Sequence, residues 1–453
     1  MWAASSFGCG AEPAPPSFVL IVLDTVRRDY TGAGPAGERF SPNLDRLAEE
    51  GTRFTNAWAN GPWTIPSHAS LFTGLFPLMH GCNSQSLQLD PRHSTLAEAL
   101  GGRGYQTAAF YSNPWLSDRM SGVLRGFQTK RESEIPGTMS VSNPDQGGEE
   151  TLRNLADWLD GRDRDRPFFL FINLLEAHLS YDPRPLYRVE HLSDLPGRDH
   201  VSVRWGMEFN SGLHPPEEVD WTRVRRLYGG DVHNADQLLG SALTLLREAG
   251  LYEETVVIVT SDHGENLGDH GLVDHQFGVF ETLLAVPLVV RAPDGLEPGV
   301  RHDPVMLSDV FATVARMSGL PPESIPPTSS SLASLPENPM RPVHASYAGG
   351  IPIQIELMMH LNPSLDQKLL EKSYNTVRLG TYRLTRSGDG ALELHDMSRD
   401  PNQNLDIAGD HPVLVEELAK ILDEVDGVRH PTQAGTEIDP RVRERLRSLG
   451  YAN

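Results

Sequence analysis

The order of apolar and polar positions along the chain predicts alternating strands and helices. "SFVLIVLD" (17–24) is a continuous apolar run closed by an acid, the pattern of a strand buried on both faces. "SPNLDRLAEEG" (41–51) has helical spacing, with Ser41 at the N-cap, Pro42 in the first turn and Gly51 past the end. "TRFTNAWA" predicts a short strand, "SHASLFTGLF" (67–76) a helix, "STLAEALGGRG" (94–104) a helix closed by glycines, and "YQTAAFYS" (105–112) a strand. An amphipathic helix follows over 149–161, then a buried strand running into a loop in "PFFLFINLLEAH" (167–178). Residues 179–220 are rich in Pro, His and Asp and weakly periodic, which predicts a long excursion of the functional kind. Beyond it, 224–252 reads as one long helix, "ETVVIVTSDHGE" (254–265) as a strand ending in acid plus His, 286–293 as a further strand and 307–320 as a helix.

This alternation predicts an α/β fold: a doubly wound, mostly parallel sheet covered on both faces. A Pro/Ser-rich connection spans 321–342. An "SGDG" turn between alternating runs and a final helix near 412–427 then predict a smaller antiparallel α+β segment over 343–453. The expected organisation is a tail (1–16), a catalytic α/β unit (17–320), the connection and the C-terminal segment.

Charge narrows the function. The formal net charge of −22 argues against a nucleic-acid partner, which requires a basic footprint. It also repels any anionic substrate, so such a site needs local positive charge from a cation, a helix N-terminus or some of the 17 histidines. No run of 18 apolar residues predicts a membrane span. Cys9 and Cys82 are the only cysteines, so no disulfide framework is expected, and Cys82 reads as structural. "SSFGCG" before a Pro-rich tether resembles the end of a bacterial lipoprotein signal, which implies a periplasmic or lipid-anchored protein with Cys9 lipidated; the other reading is a disordered tail on a cytoplasmic one.

In an open α/β sheet, ligands bind beyond the carboxyl ends of the strands. Asp24 closes the first predicted strand, and Asp262-His263 closes a later one. Two carboxylates and an imidazole suit a divalent cation such as Zn²⁺, Mn²⁺, Mg²⁺ or Ca²⁺, whereas a lone strand-terminal Asp is often a turn former. Thr64 stands at the start of the 67–76 helix, with Pro66 and Ser67 suited to its first turn. It reads either as an N-cap or as a nucleophile on a positive helix end, activated by the cation. His68, His178 and His275 read as loop or helix-start residues. Each is either a satisfied histidine, a donor to a bound anion, an acid for the leaving oxygen, or a ligand for a second ion.

Six segments in order resemble the sulfatase family of the alkaline phosphatase superfamily: "VLIVLDTVRRD", "PNLDRLAEEGTRFTNAWA", "TIPSHASLFTGLFPLMHG", "GLYEETVVIVTSDHGENLGDHG", "FETLLAVPLVVRAP" and "LELHDMSRDPNQNLD". The resemblance implies metal ligands at Asp24, Thr64, Asp262 and His263, the nucleophile at Thr64, and anion-binding or acid roles at His178 and near His275. The sequence departs from the family at Thr64, where Cys or Ser is matured to formylglycine. Oxidising a secondary alcohol yields a ketone, so that cofactor is not expected. His68 replaces the motif Arg, Thr25 replaces an Asp, and "AAFYSNPWL" stands where "GKWHLG" is usual. A Thr nucleophile resembles the phosphodiesterase and phosphotransferase branches, although Asp236 lacks a His four residues on, where Gly240 stands. The expectation is a metal-dependent hydrolase of phosphate or sulfate esters acting on an anionic small molecule or glycan. The alternatives are transfer of a phospho group onto a glycan, and an inactive glycan-binding member.

Overall fold

The computed structural model describes residues 15–427 apart from 33, 35, 36, 136–142, 195, 196 and 337. Cys9 and the final residues of the C-terminal segment therefore lie outside the described residues. Fifteen strands are described. They are β1 Ser17–Leu23, β2 Thr52–Trp58, β3 Gln106–Tyr111, β4 Thr129–Glu132, β5 Phe168–Leu174, β6 Thr255–Thr260, β7 Asn266–Leu267, β8 Val273–Asp274, β9 Ala285–Arg291, β10 Gly299–Arg301, β11 Val305–Met306, β12 Val343–Tyr347, β13 Tyr374–Leu379, β14 Tyr382–Ser387 and β15 Leu392–Asp396.

The large sheet has the order β10-β2-β9-β6-β1-β5-β3-β4, with β11 also on β2. The central apolar runs lie in the middle of it, and β1, β5 and β6 are buried on both faces. β1 pairs in parallel with β5 and β6. β9 pairs antiparallel with both β2 and β6, so it alone of the described strands in this sheet runs against the rest. The apolar composition of β9 marked it as a strand but carries no direction. Its direction comes from the preceding segment, which folds back beside β6.

Alternating side chains of β5 reach opposite layers. Phe169 and Phe171 meet Phe127 and Phe72 on one face, the face of the helix Thr64–Thr73. Phe168 meets Trp158 of the helix Gly148–Gly161 on the other. The long helix is Trp221–Glu248, capped by the Asp220 carboxylate. The stretch 179–220 is less irregular than expected: it holds the helices Pro185–His191 and Val203–Asn210. Each is too short for its period to stand out. A second sheet, β12-β13-β14-β15, is antiparallel, and the helix Pro412–Asp426 packs on it through Leu418 and Leu422. Among the described residues no helix is long and apolar enough to cross a membrane.

One buried acid tests the core. Glu176 follows β5; its Oε1 accepts from the Gly148 amide at 3.0 Å, and Oε2 is buried without a partner. Burial pushes its carboxyl up from 4.5 to about 7. The folded state thus binds the proton more tightly than the unfolded state, and stability is lost as pH rises from 4.5 to 7. The loss amounts to roughly 3 kcal/mol. We expect Glu176→Gln to flatten this slope and to melt above the parent at pH 8, as read by thermal denaturation across pH.

Candidate active site

Four strand ends of the large sheet deliver the candidate residues to one place. Asp24 follows β1 directly, and its amide donates to the Leu174 carbonyl at the end of β5 (2.9 Å). Asp262 and His263 follow β6, Asn173 stands near the end of β5, and Asn113 lies just past β3. Asp24, Asp262 and His263 are buried, and one ligand atom from each lies within 4.8 Å of the others.

The hydrogen bonds show which atoms are committed. Asp24 Oδ2 accepts from Asn113 Nδ2 and Asn173 Nδ2, both at 2.8 Å. The amide orientations follow from their other bonds, since Asn113 Oδ1 accepts from the Trp115 amide and Asn173 Oδ1 from the Asn113 amide. Asp262 Oδ1 accepts from the amides of Thr25 (3.2 Å) and His263 (3.0 Å). His263 Nδ1 donates to the Gly264 carbonyl at 2.9 Å, which leaves Nε2 with a lone pair. The atoms left over are Asp24 Oδ1, Asp262 Oδ2 and His263 Nε2, all buried and without partners. Orphaned buried acceptors are costly, and two carboxylate oxygens plus an imidazole nitrogen form a donor set that fits a divalent cation. Asp24, Asp262 and His263 would hold it.

Thr64 is not the N-cap. The helix runs Thr64–Thr73, Trp63 occupies the N-cap position without a side-chain bond, and Thr64 is the first helical residue. Its hydroxyl receives Asn113 Nδ2 at 3.3 Å, the same amide that holds Asp24. Thr64 therefore stands at a helix N-terminus, joined to Asp24 through Asn113. His68 sits one turn on, beneath it: Nδ1 donates to the Thr64 carbonyl at 2.9 Å and lies 3.5 Å from Asp262 Oδ2, with the ring against Phe72 and Phe171.

The two remaining histidines also converge. The His275 ring is 4.4 Å from that of His263 and 5.1 Å from that of His178. His178 Nδ1 donates to the Leu179 carbonyl at 2.6 Å. Burial, then the neighbouring His275, hold His178 below the usual imidazole range, so it is neutral. Burial opposes a proton on His275, but Asp274 and then Glu265 outweigh it and raise the imidazole well above its ordinary value. Arg27 supplies no free charge, because its guanidinium is held by Asp29 and Asp269 at 2.8 and 2.7 Å.

Sequence reasoning missed Asn113, Asn173 and the role of Thr25. The asparagines carry no motif; the signal available was a polar residue at or just past a buried strand. Thr25 is in the left-handed region at φ 60°, a strained conformation for a β-branched residue. Tyr228 holds it, donating its hydroxyl to the Thr25 carbonyl (2.8 Å) and accepting from the Arg27 amide (2.9 Å). That bend aims the Thr25 amide at Asp262.

The family model described as Sulfatase matches residues 16–320. The chain belongs to the sulfatase family. Choline-sulfatase of Rhizobium meliloti (strain 1021) is 25% identical over 372 residues, covering 71% of each chain. The structure of phosphonate monoester hydrolase of Agrobacterium radiobacter superposes with a TM-score of 0.71 at 22% identity, over 94% of this chain and 98% of that one. A second solved structure, in complex with its substrate D-glucosamine-2-N,6-O-disulfate, superposes with a TM-score of 0.68 at 18% identity, over 91% and 98%. This sulfatase-like ester hydrolase thus shares with those structures its α/β fold with a small antiparallel sheet.

Gly264 of the "SDHG" segment locks the site to its neighbour. Its amide donates to Leu283 O at 2.8 Å, and a Cβ there would stand 2.0 Å from the Thr282 carbonyl oxygen. The obstacle is backbone, so it cannot step aside cheaply. We expect Gly264→Ala to cost at least about 2 kcal/mol in chemical denaturation.

Proposed function

We propose that this sulfatase-family member cleaves phosphate or phosphonate esters by displacement at phosphorus, with Thr64 as the nucleophile. The observation that carries the reading is a buried secondary alcohol at the first position of a helix, bonded to the amide that also holds Asp24. Three orphaned ligand atoms of Asp24, Asp262 and His263 support a cation in the same place. When bound, a divalent ion there neutralises an ester anion and favours ionisation of a nearby hydroxyl.

The chain's own residues perform the rest. Asn113 and the helix N-terminus orient Thr64 Oγ1 and the anion. The threonine oxygen bonds to phosphorus as the bond from phosphorus to the leaving oxygen breaks. Water relays the hydroxyl proton to neutral His178, whose Nδ1 is committed to Leu179, and His178 gives it to the leaving oxygen, which departs on the side of phosphorus opposite the threonine oxygen. Water then attacks phosphorus, the threonine–phosphorus bond breaks, and the proton returns to Thr64 through the same imidazole. His68 acts as a positioning residue from beneath Thr64 and Asp262. A cavity of about 240 Å³ is lined by Trp63 and Pro66, which flank Thr64 along the chain, and by Asn83, Gln85, Tyr347 and Asn375 among other uncharged residues. This lining suits the ester of a neutral alcohol.

A panel of nitrophenyl phosphate, phosphonate monoester, phosphodiester and sulfate tests the proposal, with acid quenching to trap phosphothreonine. Turnover of at least one phosphorus ester should exceed that of the sulfate by about 100-fold or more, since a simple alcohol lacks the aldehyde hydrate of formylglycine. Equal or faster sulfate turnover would sink it. Silence across the panel would favour a binding role.

A further inference from the structure

A second buried trio stands next to the first. β7 and β8 form a two-residue antiparallel ribbon with Asn266 opposite Asp274, which brings Glu265 and His275 side by side at its end. One ligand atom from each of Glu265, Asp274 and His275 lies within 4.8 Å of the others, and all three residues are buried. No hydrogen bond of good geometry reaches either Glu265 oxygen or His275 Nδ1, which meet only as ion pairs. His275 Nδ1 lies 3.5 Å from Glu265 Oε1 and 2.7 Å from Asp274 Oδ1. The buried Tyr181 hydroxyl faces the same Glu265 carboxyl. Asp274 has φ 76°, in the left-handed region that Asp tolerates better than most residues, and its Oδ1 accepts from the His275 amide at 2.7 Å.

We infer that Glu265, Asp274 and His275 form a second divalent-cation site beside the one at Asp24, Asp262 and His263. A divalent ion there would take the place of the proton held between His275 and the two carboxylates, engaging both acids and the imidazole. Proximity follows from the rings: His275 stands 4.4 Å from His263, whose Nε2 faces the first site. The inference rests on the proposed first site and adds to it. A second ion would supply the positive charge that the arginine and lysine positions of this acidic chain do not, and it leaves the proton relay to His178.

Metal-stripped protein titrated with Mn²⁺ provides the test, read by equilibrium dialysis with elemental analysis and by electron paramagnetic resonance. The parent should saturate at two ions per chain with a spin-coupled spectrum. Glu265→Gln and His275→Ala should each saturate at one, with an isolated six-line spectrum, and Asp24→Asn should lose the other ion. Two separate variants guard against a folding defect in either, which circular dichroism detects. Saturation of the parent at one ion, or two ions retained in both variants, would overturn the second site. These readouts do not use turnover, so failure of the Thr64 mechanism is recorded separately.

Discussion

Thr64→Ala is expected to lower kcat on any ester the protein cleaves by about 10⁴-fold or more, while leaving the melting temperature near that of the parent. The two halves of this expectation have different origins. The hydroxyl is proposed as the attacking atom, so its loss removes the covalent route outright rather than weakening it. Structurally the same hydroxyl contributes little: it has one described hydrogen bond, a 3.3 Å contact from Asn113, and it caps nothing. Asn113 keeps its 2.8 Å bond to Asp24 in the variant, so the cation ligands should stay in place. Thr64→Ser retains a hydroxyl and should retain part of the activity. Steady-state kinetics on the three proteins, with mass spectrometry of acid-quenched samples, separate the cases. Parental turnover by the alanine variant would remove Thr64 from the chemistry.

Asp262→Asn should have an effect of similar size by a different route. Asp262 Oδ1 is used by two backbone amides and Oδ2 is unpartnered, 3.2 Å from His263 Nε2. In the asparagine variant the carbamoyl nitrogen occupies the Oδ2 place and donates to that imidazole lone pair, closing the cation position with a hydrogen bond. Activity should fall by about 10³-fold or more, and the first ion should be lost. Burial opposes the Asp262 charge, but His263, then His68 and the Thr25 amide, outweigh it and hold the carboxyl below its ordinary range, so the metal-free variant should melt no higher than the metal-free parent. Melting with and without Mn²⁺ reads both effects: the ion should raise the parent's transition through the first site and leave that contribution missing in the variant. An unaltered response to the ion would contradict the assignment of Asp262.

Much of this architecture could be read from the chain because buried strands and chain-end chemistry leave local marks. β1, β5 and β6 are apolar runs without alternation, and Asp24 and Asp262 interrupt them at the carboxyl end. The helix Pro42–Glu50 carries its boundaries in Pro42 and Gly51, although Ser41 leaves its cap unbonded and accepts from the Gly32 amide instead. What was not legible depends on contacts between distant segments. Asn113 and Asn173 matter because β3 and β5 are neighbours, a fact of topology rather than of spacing. The left-handed turn at Thr25 is imposed by Tyr228, some 200 residues away by the 203-position separation of their bond. Glu265 and His275 meet only because β7 pairs with β8, and two-residue strands have no period to detect.

The central placement of β1 also determines where the site can adapt. β6 is paired on one side with β1 and on the other with β9, so its register is fixed twice. A slip of one residue would displace a side chain by about 3.3 Å and turn it to the opposite face. Asp24 and Asp262 therefore behave as marks on a ruler, their separation set by ladder bonds rather than by whatever lies between them. Accommodation of substrates of different size must then come from the chain that leaves the ladder, chiefly the ribbon and turns between β6 and β9.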